Sequence, residues 1–214
     1  MKLIVGNKNY SSWSLRAWLA MKVAGIAFDE ERIPLYGPDS KQKILAFSPA
    51  GKVPCLMDGG LAIWDSLAIC EYLAEKHPWL WPQDPAARAV ARAVSAEMHS
   101  GFQNLRTHMS MNIRRHLPGK GRTPEVLAEI ARIVAMWTDC RARFGQGGAF
   151  LFGRFSVADA MYAPVVVRFL VYEVELPGAC RAYADSVLAL PAMQEWIAAA
   201  KAETEILPQF EQYG

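Results

Sequence analysis

The stretch VPCLMDGGLAIWDS, residues 53–66, constrains the fold more than any other part of the chain. Residues 53–57 and 61–64 are two short apolar segments joined by Asp58-Gly59-Gly60, a pattern that predicts a tight β-hairpin. Asp65 or Ser66 then stands where the cap of a following helix belongs, and an apolar pattern runs on to about Lys76. Upstream, residues 3–6 (LIVG) read as a buried strand, and residues 12–24 as a helix with Leu15, Trp18, Leu19 and Val23 along one stripe. Gly25 occupies the position of a helix C-cap. Residues 28–33 suggest a second strand, followed by a loop with Pro34, Gly37 and Pro38. The order strand, helix, strand, helix, hairpin, helix is that of a small α/β sheet, not a doubly wound one.

Past residue 80 the pattern changes. HPWLWPQDP, residues 77–85, holds three prolines and reads as a linker, and no strand is evident after it. Met98, Phe102, Leu105, Met109 and Ile113 fall at helical gaps, which predicts one helix over about 86–116. LPGKGRTP ends it, Thr123 caps the next helix to about Phe144, and Gly145, Gly147 and Gly148 stop that one. Residues 156–172 form a helix apolar nearly all round and therefore central, and Pro177 and Pro191 bracket the short helices that remain. Over 214 residues, 52% hydrophobic side chains support a substantial core, and a net charge of +2 argues against a globally basic nucleic-acid binder. No apolar run approaches the roughly 18 residues of a membrane span, and the N-terminus does not read as a signal peptide. Cys55, Cys70, Cys140 and Cys180 are too dispersed for a zinc site or a disulfide framework, so free thiols in the cytoplasm are expected, and no metal.

Four places could carry chemistry. In NYSSWSLRAW, Ser11, Ser12 and Ser14 crowd a helix N-terminus, where free N–H groups and the helix dipole favour an anion; the same serines would also serve simply as caps. In KVPCL, Pro54 before a short strand is either an ordinary strand-entry proline or a cis one. Asp65-Ser66 caps a helix, and that N-terminus could instead grip a carboxylate with Asp65 left to meet an amine. GRFSVADA contains Ser156 and Asp159 in a capping-box arrangement with Phe155 as its staple, which is structural.

Taken together, these places resemble the cytosolic glutathione S-transferase family, in its bacterial form, over essentially the whole chain. KVP followed by DS looks like the family's VP…[ED]S pair, and GRFSVADA like the capping box of its central helix. SSWS followed by Arg16 is similar to the SSCS stretch of the zeta class, the maleylacetoacetate isomerases, with Trp13 in place of the cysteine. The resemblance implies an α/β plus all-α architecture, the glutathione S-transferase fold. Residues 1–78 would form a thioredoxin-like glutathione-binding domain, 79–85 a linker, and 86–214 an all-helical domain contributing the electrophile pocket. It further implies that Ser11, with Ser12 as close rival, bonds the glutathione sulfur. Val53 ahead of a cis Pro54 would pair with the cysteinyl part, Asp65 and Ser66 would hold the γ-glutamyl end, and Lys52 would reach the glycyl carboxylate. A free thiol has a pKa of about 8.5, and a charge-assisted hydrogen bond of roughly 1.5–3 kcal/mol would lower it by one to two units. The serine would stabilise the thiolate and not itself attack.

The resemblance puts the second substrate against the first long helix of the second half. Residues 98–124 hold no acid but include Arg106, Arg114, Arg115, Lys120 and Arg122, which suggests either a solvated face or a pocket favouring anionic electrophiles. Met109 and Asn112 are the candidates for pocket wall. The implied activity is transfer of glutathione to a small electrophile, as in detoxification. The alternatives are a zeta-like cis-trans isomerase that uses glutathione catalytically, or a non-catalytic glutathione-binding scaffold. A homodimer, no nucleic acid and no membrane complete the expected partners.

Overall fold

A computed structural model describes residues 1–213. Strand β1 (Lys2–Val5) is followed by α1 (Ser12–Val23), β2 (Asp29–Arg32), the short α2 (Ser40–Leu45), the hairpin β3 (Cys55–Asp58) and β4 (Leu61–Trp64), and α3 (Ser66–Lys76). The strand order is β2-β1-β3-β4; β1 and β2 are parallel, and both β1–β3 and β3–β4 are antiparallel. Gly59 and Gly60 make a two-residue hairpin loop, and Gly59 adopts φ +61°, which an L side chain rarely does. Gly25, with φ +68°, lies just past α1 as the sequence predicts.

After a 3-10 turn at Pro78–Leu80 come α4 (Pro85–Ser100), α5 (Gln103–His108), α6 (Pro124–Phe144), α7 (Val157–Val171), α8 (Gly178–Leu188) and α9 (Pro191–Ala202). Helix α7 is the axis of the molecule. It is buried on nearly every side and packs on α1 from the sheet half and on α4 and α8 from the helical half. One apolar cluster therefore runs from Leu3 and Val5 through Leu15 and Leu19 to Val165 and Trp196. Its start is fixed by the predicted capping box: Asp159 accepts from the Ser156 N–H at 2.8 Å and also from the Leu151 N–H at 3.1 Å. All four cysteines are buried and unpaired. No helix among the described residues is long and apolar enough to cross a membrane.

The single helix expected over 86–116 is two helices. Gly101 and Phe102, the latter at φ +58°, break it, and the chain turns before α5 begins. The break is sealed from elsewhere in the chain. The Arg106 guanidinium donates to Gly101 O at 3.1 Å, His99 O at 3.2 Å and Met98 O, which satisfies the end of α4. The Glu129 carboxylate of α6 accepts from the N–H groups of Asn104 at 3.2 Å and Leu105 at 2.7 Å, which starts α5. Met98, Phe102, Leu105, Met109 and Ile113 are all buried nonetheless. Their helical spacing reports burial and is blind to the bend.

Candidate active site

A cleft of about 950 Å³ opens between the sheet half and the helical half. The seven residues singled out for glutathione, Ser11, Ser12, Lys52, Val53, Pro54, Asp65 and Ser66, all line it. Three local features shape this side. The Val53–Pro54 peptide is cis, and Val53 lies ahead of β3 with neither its N–H nor its C=O bonded to the protein among the described residues. At the start of α3, the Asp65 carboxylate accepts from Leu67 N at 2.8 Å and Ala68 N at 3.2 Å. Asp65 itself sits at φ +77°, a strained conformation for a non-glycine residue that sets the helix mouth toward the cleft. The Ser66 hydroxyl is buried without a partner, so the N-terminus of α3 offers an unspent hydrogen-bonding group to a ligand.

At the start of α1 the two candidate serines behave differently. The Ser11 hydroxyl donates to Ser14 Oγ at 2.8 Å, and its oxygen caps the Ser14 N–H; Ser14 Oγ also accepts from Gly6 N at 3.1 Å. Ser11 is thus tied into the turn. The Ser12 hydroxyl and the Trp13 N–H have no protein partner among the described residues, and both residues line the cleft. An anion placed there would meet unspent donors and the positive end of α1.

The helical half faces these serines with Gln103, Arg106, Ser110, Met111 and Arg168, and the C-terminal segment adds Phe210, stacked on Tyr10 at 5.4 Å. Met109 and Asn112, the expected wall residues, are fully buried instead. Asn112 is engaged with Asn9 at 2.8 Å and Glu211 at 2.8 Å, and it is the next-door Ser110 and Met111 that reach the cleft. Nor do Arg114 and Arg115 line it. Arg114 donates to Tyr10 Oη at 2.9 Å, Glu205 O at 2.6 Å and Glu203 O, and Arg115 lies 3.7 Å from the Glu211 carboxylate. These two arginines clamp the C-terminal segment onto the loop before α1.

Of the basic run, Arg106 alone is in the cleft wall, and it meets there Arg168, which spacing arguments missed. Arg168 is 5% exposed; its Nε donates to Met109 O at 2.8 Å and its Nη1 to Pro164 O at 3.2 Å. Burial, with Arg106 nearby, lowers its pKa to about 10. Both guanidiniums are therefore held by neutral carbonyls, not by carboxylates, and keep their charge. Arg106 Nη1 and Arg168 Nη2 make no hydrogen bond to the protein among the described residues. The signal was present: Arg168 is the one basic residue of α7 and its one charged residue past the first turn, where a charge needs a reason. Lys41 and Lys52 also line the cleft, against one carboxylate, Asp65. That balance favours an anionic ligand.

His99 of α4 completes the site from behind. Its Nε2 lies 3.0 Å from the second oxygen of Asp65, its Nδ1 is buried without a partner, and burial lowers its pKa against the opposing pull of Asp65.

Residues 10–76 match the family model "Glutathione S-transferase, N-terminal domain", and residues 113–199 match "Glutathione S-transferase, C-terminal domain". Glutathione S-transferase Z2 of Arabidopsis thaliana is 30% identical over 204 residues, 87% of this chain and 88% of that one. A probable maleylacetoacetate isomerase of Caenorhabditis elegans is 42% identical over 96 residues, a match that spans 44% of each chain. A Burkholderia glutathione transferase homologue crystallised with bound glutathione superimposes with a TM-score of 0.71 at 21% identity, covering 94% of this chain and 98% of that structure. The chain belongs to the glutathione S-transferase family, and its fold is that family's: a thioredoxin-like half with a small mixed sheet, joined to a helical half.

Proposed function

We propose that this protein activates the thiol of glutathione at the N-terminus of α1 and delivers it to a small electrophile bearing a carboxylate. The observation that carries this reading is the meeting, across one cleft, of unspent donors at the start of α1 with two guanidiniums anchored on backbone carbonyls. The tripeptide's γ-glutamyl carboxylate would lie on the Ser66 hydroxyl and N–H, with its amine toward Asp65. The cysteinyl backbone would pair with Val53 beside Pro54, and the glycyl carboxylate would meet Lys52. The sulfur then falls at Ser11 and Ser12. Of these, Ser12 gives its hydroxyl without breaking a bond, while Ser11 holds the turn in shape. A charge-assisted hydrogen bond of about 1.5–3 kcal/mol lowers the thiol pKa by one to two units, and the helix end adds to it. The thiolate forms by loss of its proton to solvent, so no general base is required. Its electron pair attacks the electrophilic carbon, and the leaving group departs or the adjacent double bond accepts the charge.

Arg106 and Arg168 would hold the electrophile's carboxylate opposite the sulfur. With the identity to a probable maleylacetoacetate isomerase, that favours a second reading at the same site. The thiolate would add to a cis-unsaturated acid and be expelled after rotation, which regenerates glutathione. Mass analysis of the product separates the two, since a transferase leaves glutathione in it and an isomerase does not. Matched acidic and neutral electrophiles test the shared claim: a clear preference for the acidic member supports it, and equal rates refute it. The same proposal includes a cytoplasmic homodimer and a division into residues 1–78, 79–85 and 86–214. The four cysteines are buried and free, and Leu61 and Trp64, half-exposed on opposite faces of the edge strand β4, leave apolar side chains at the sheet edge.

A further inference from the structure

Trp13 stands where the zeta-like motif has cysteine, and its surroundings assign it work that a cysteine does not do. Trp13 lines the cleft together with Ser11, Ser12 and Arg106. The guanidinium carbon of Arg16 lies 4.4 Å from the ring centroid, and that of Arg106 lies 4.7 Å away. His99 meets the ring edge-on at 5.3 Å, with an interplanar angle of 81°. Arg16 is 1% exposed, and its Nε and Nη1 have no hydrogen-bond partner. Among the described residues Arg16, Arg106 and Arg168 form no ion pair with a carboxylate.

Three like charges in one partly dry region repel one another, and a guanidinium without a carboxylate needs some other compensation. The face of an indole supplies it, because its quadrupole is negative there and attracts cations most strongly where water is excluded. Burial and the neighbouring Arg106 and Arg168 together lower Arg16 to about 9, as the crowding requires. Arg106 Nε and Nη2 are fixed on the α4 carbonyls, so the plane of the guanidinium, and with it the direction of Nη1, is set by those carbonyls and by the ring beneath.

We infer that Trp13 is a positioning residue: it neutralises the repulsion between Arg16 and Arg106 and so aims Arg106 at the carboxylate of the electrophile. This rests on the acidic-electrophile reading above. Cysteine, leucine or methionine at position 13 would leave the repulsion from Arg16 uncompensated, so that Arg106 Nη1, which no carbonyl holds, shifts off the acidic substrate while the sulfur site stays intact.

The test compares wild type, Trp13→Leu and Trp13→Phe with glutathione and one matched pair of acidic and neutral electrophiles. Phenylalanine keeps a negative ring face and leucine does not. Trp13→Leu, which keeps the main-chain N–H at the sulfur site, is expected to lower the acidic-to-neutral ratio of kcat/KM by roughly tenfold, mainly through KM for the acidic electrophile. Trp13→Phe is expected to recover most of that loss. Equal losses on both electrophiles, equal losses in the two variants, or no loss at all would overturn the assignment. A wild type that shows no preference for the acidic member would overturn the electrophile reading itself, and this inference with it. Should Trp13→Leu not fold, Trp13→Met supplies the same comparison without an aromatic face.

Discussion

Replacing Arg168 by methionine removes the deepest positive charge of the cleft while nearly keeping its volume. The structural cost is small because two terms oppose each other. Met109 O loses the donor it meets at 2.8 Å, which costs about 1–3 kcal/mol. Pro164 O remains in the backbone ladder of α7. Against this, burial and the neighbouring Arg106 depress the guanidinium from 12.5 to about 10, so removing it relieves roughly 3 kcal/mol of unfavourable burial and repulsion. Stability is therefore expected to change by no more than a few kcal/mol, as measured by urea unfolding. The functional cost is larger and selective. One charge-assisted hydrogen bond from Arg168 Nη2 to a substrate carboxylate is worth about 1.5–3 kcal/mol, or roughly 10- to 150-fold in kcat/KM. Steady-state rates at fixed saturating glutathione, on an acidic and a neutral electrophile, should show that loss for the acidic one only. Arg168→Lys keeps the charge but not the fork and should fall between. An equal loss on both substrates would show that Arg168 supports the fold or the thiolate and does not bind the electrophile.

Two further outcomes follow from buried carboxylates. Glu203 reaches across the chain to accept from the N–H groups of Lys8 at 2.7 Å and Asn9 at 3.0 Å, so Glu203→Ala should lower stability by about 2–4 kcal/mol and loosen the loop that carries the serines; chemical denaturation and KM for glutathione read both effects. Burial raises Asp159 from its usual 3.8 to about 6. The native protein then holds that proton more tightly than the unfolded chain, so this group's contribution to stability is greatest below pH 4. It falls by about 3 kcal/mol as the pH rises from 4 to 6, and is flat above that. Urea midpoints for wild type and Asp159→Asn across that range should differ in slope, and parallel lines would contradict the assignment.

The sheet half was legible because its signals are local. Gly59-Gly60 turns the hairpin, Asp65 caps α3 and Gly25 ends α1, each within a few residues of the element it controls. That Ser11, Ser12, Lys52, Val53, Pro54, Asp65 and Ser66 share one cleft was expected from the family resemblance, since local signals explained Ser11, Ser12, Asp65 and Ser66 equally well as helix caps. The helical half followed different rules. The bend between α4 and α5 is held by Glu129 and Arg106, which reach it across space, while the apolar spacing continues unbroken through it. The basic run at 106–122 looked uncompensated because its partners are distant in sequence or are backbone carbonyls: the Glu211 carboxylate faces Arg115, and the carbonyls of Glu203 and Glu205 take Arg114. Met109 and Asn112 missed the cleft by one residue each, a shift that helical periodicity alone does not resolve once the helix has ended at His108.

The most direct test of the account is the acidity of glutathione while bound. Thiolate absorbance in the ultraviolet, followed against pH for the binary complex, should give a thiol pKa one to two units below the ordinary value of about 8.5. Ser12→Ala should return most of that difference, and Ser11→Ala should act more through the stability of the α1 turn. A bound thiol that titrates as it does in free solution, or a depression that survives loss of both hydroxyls, would contradict the claim that the start of α1 activates the sulfur.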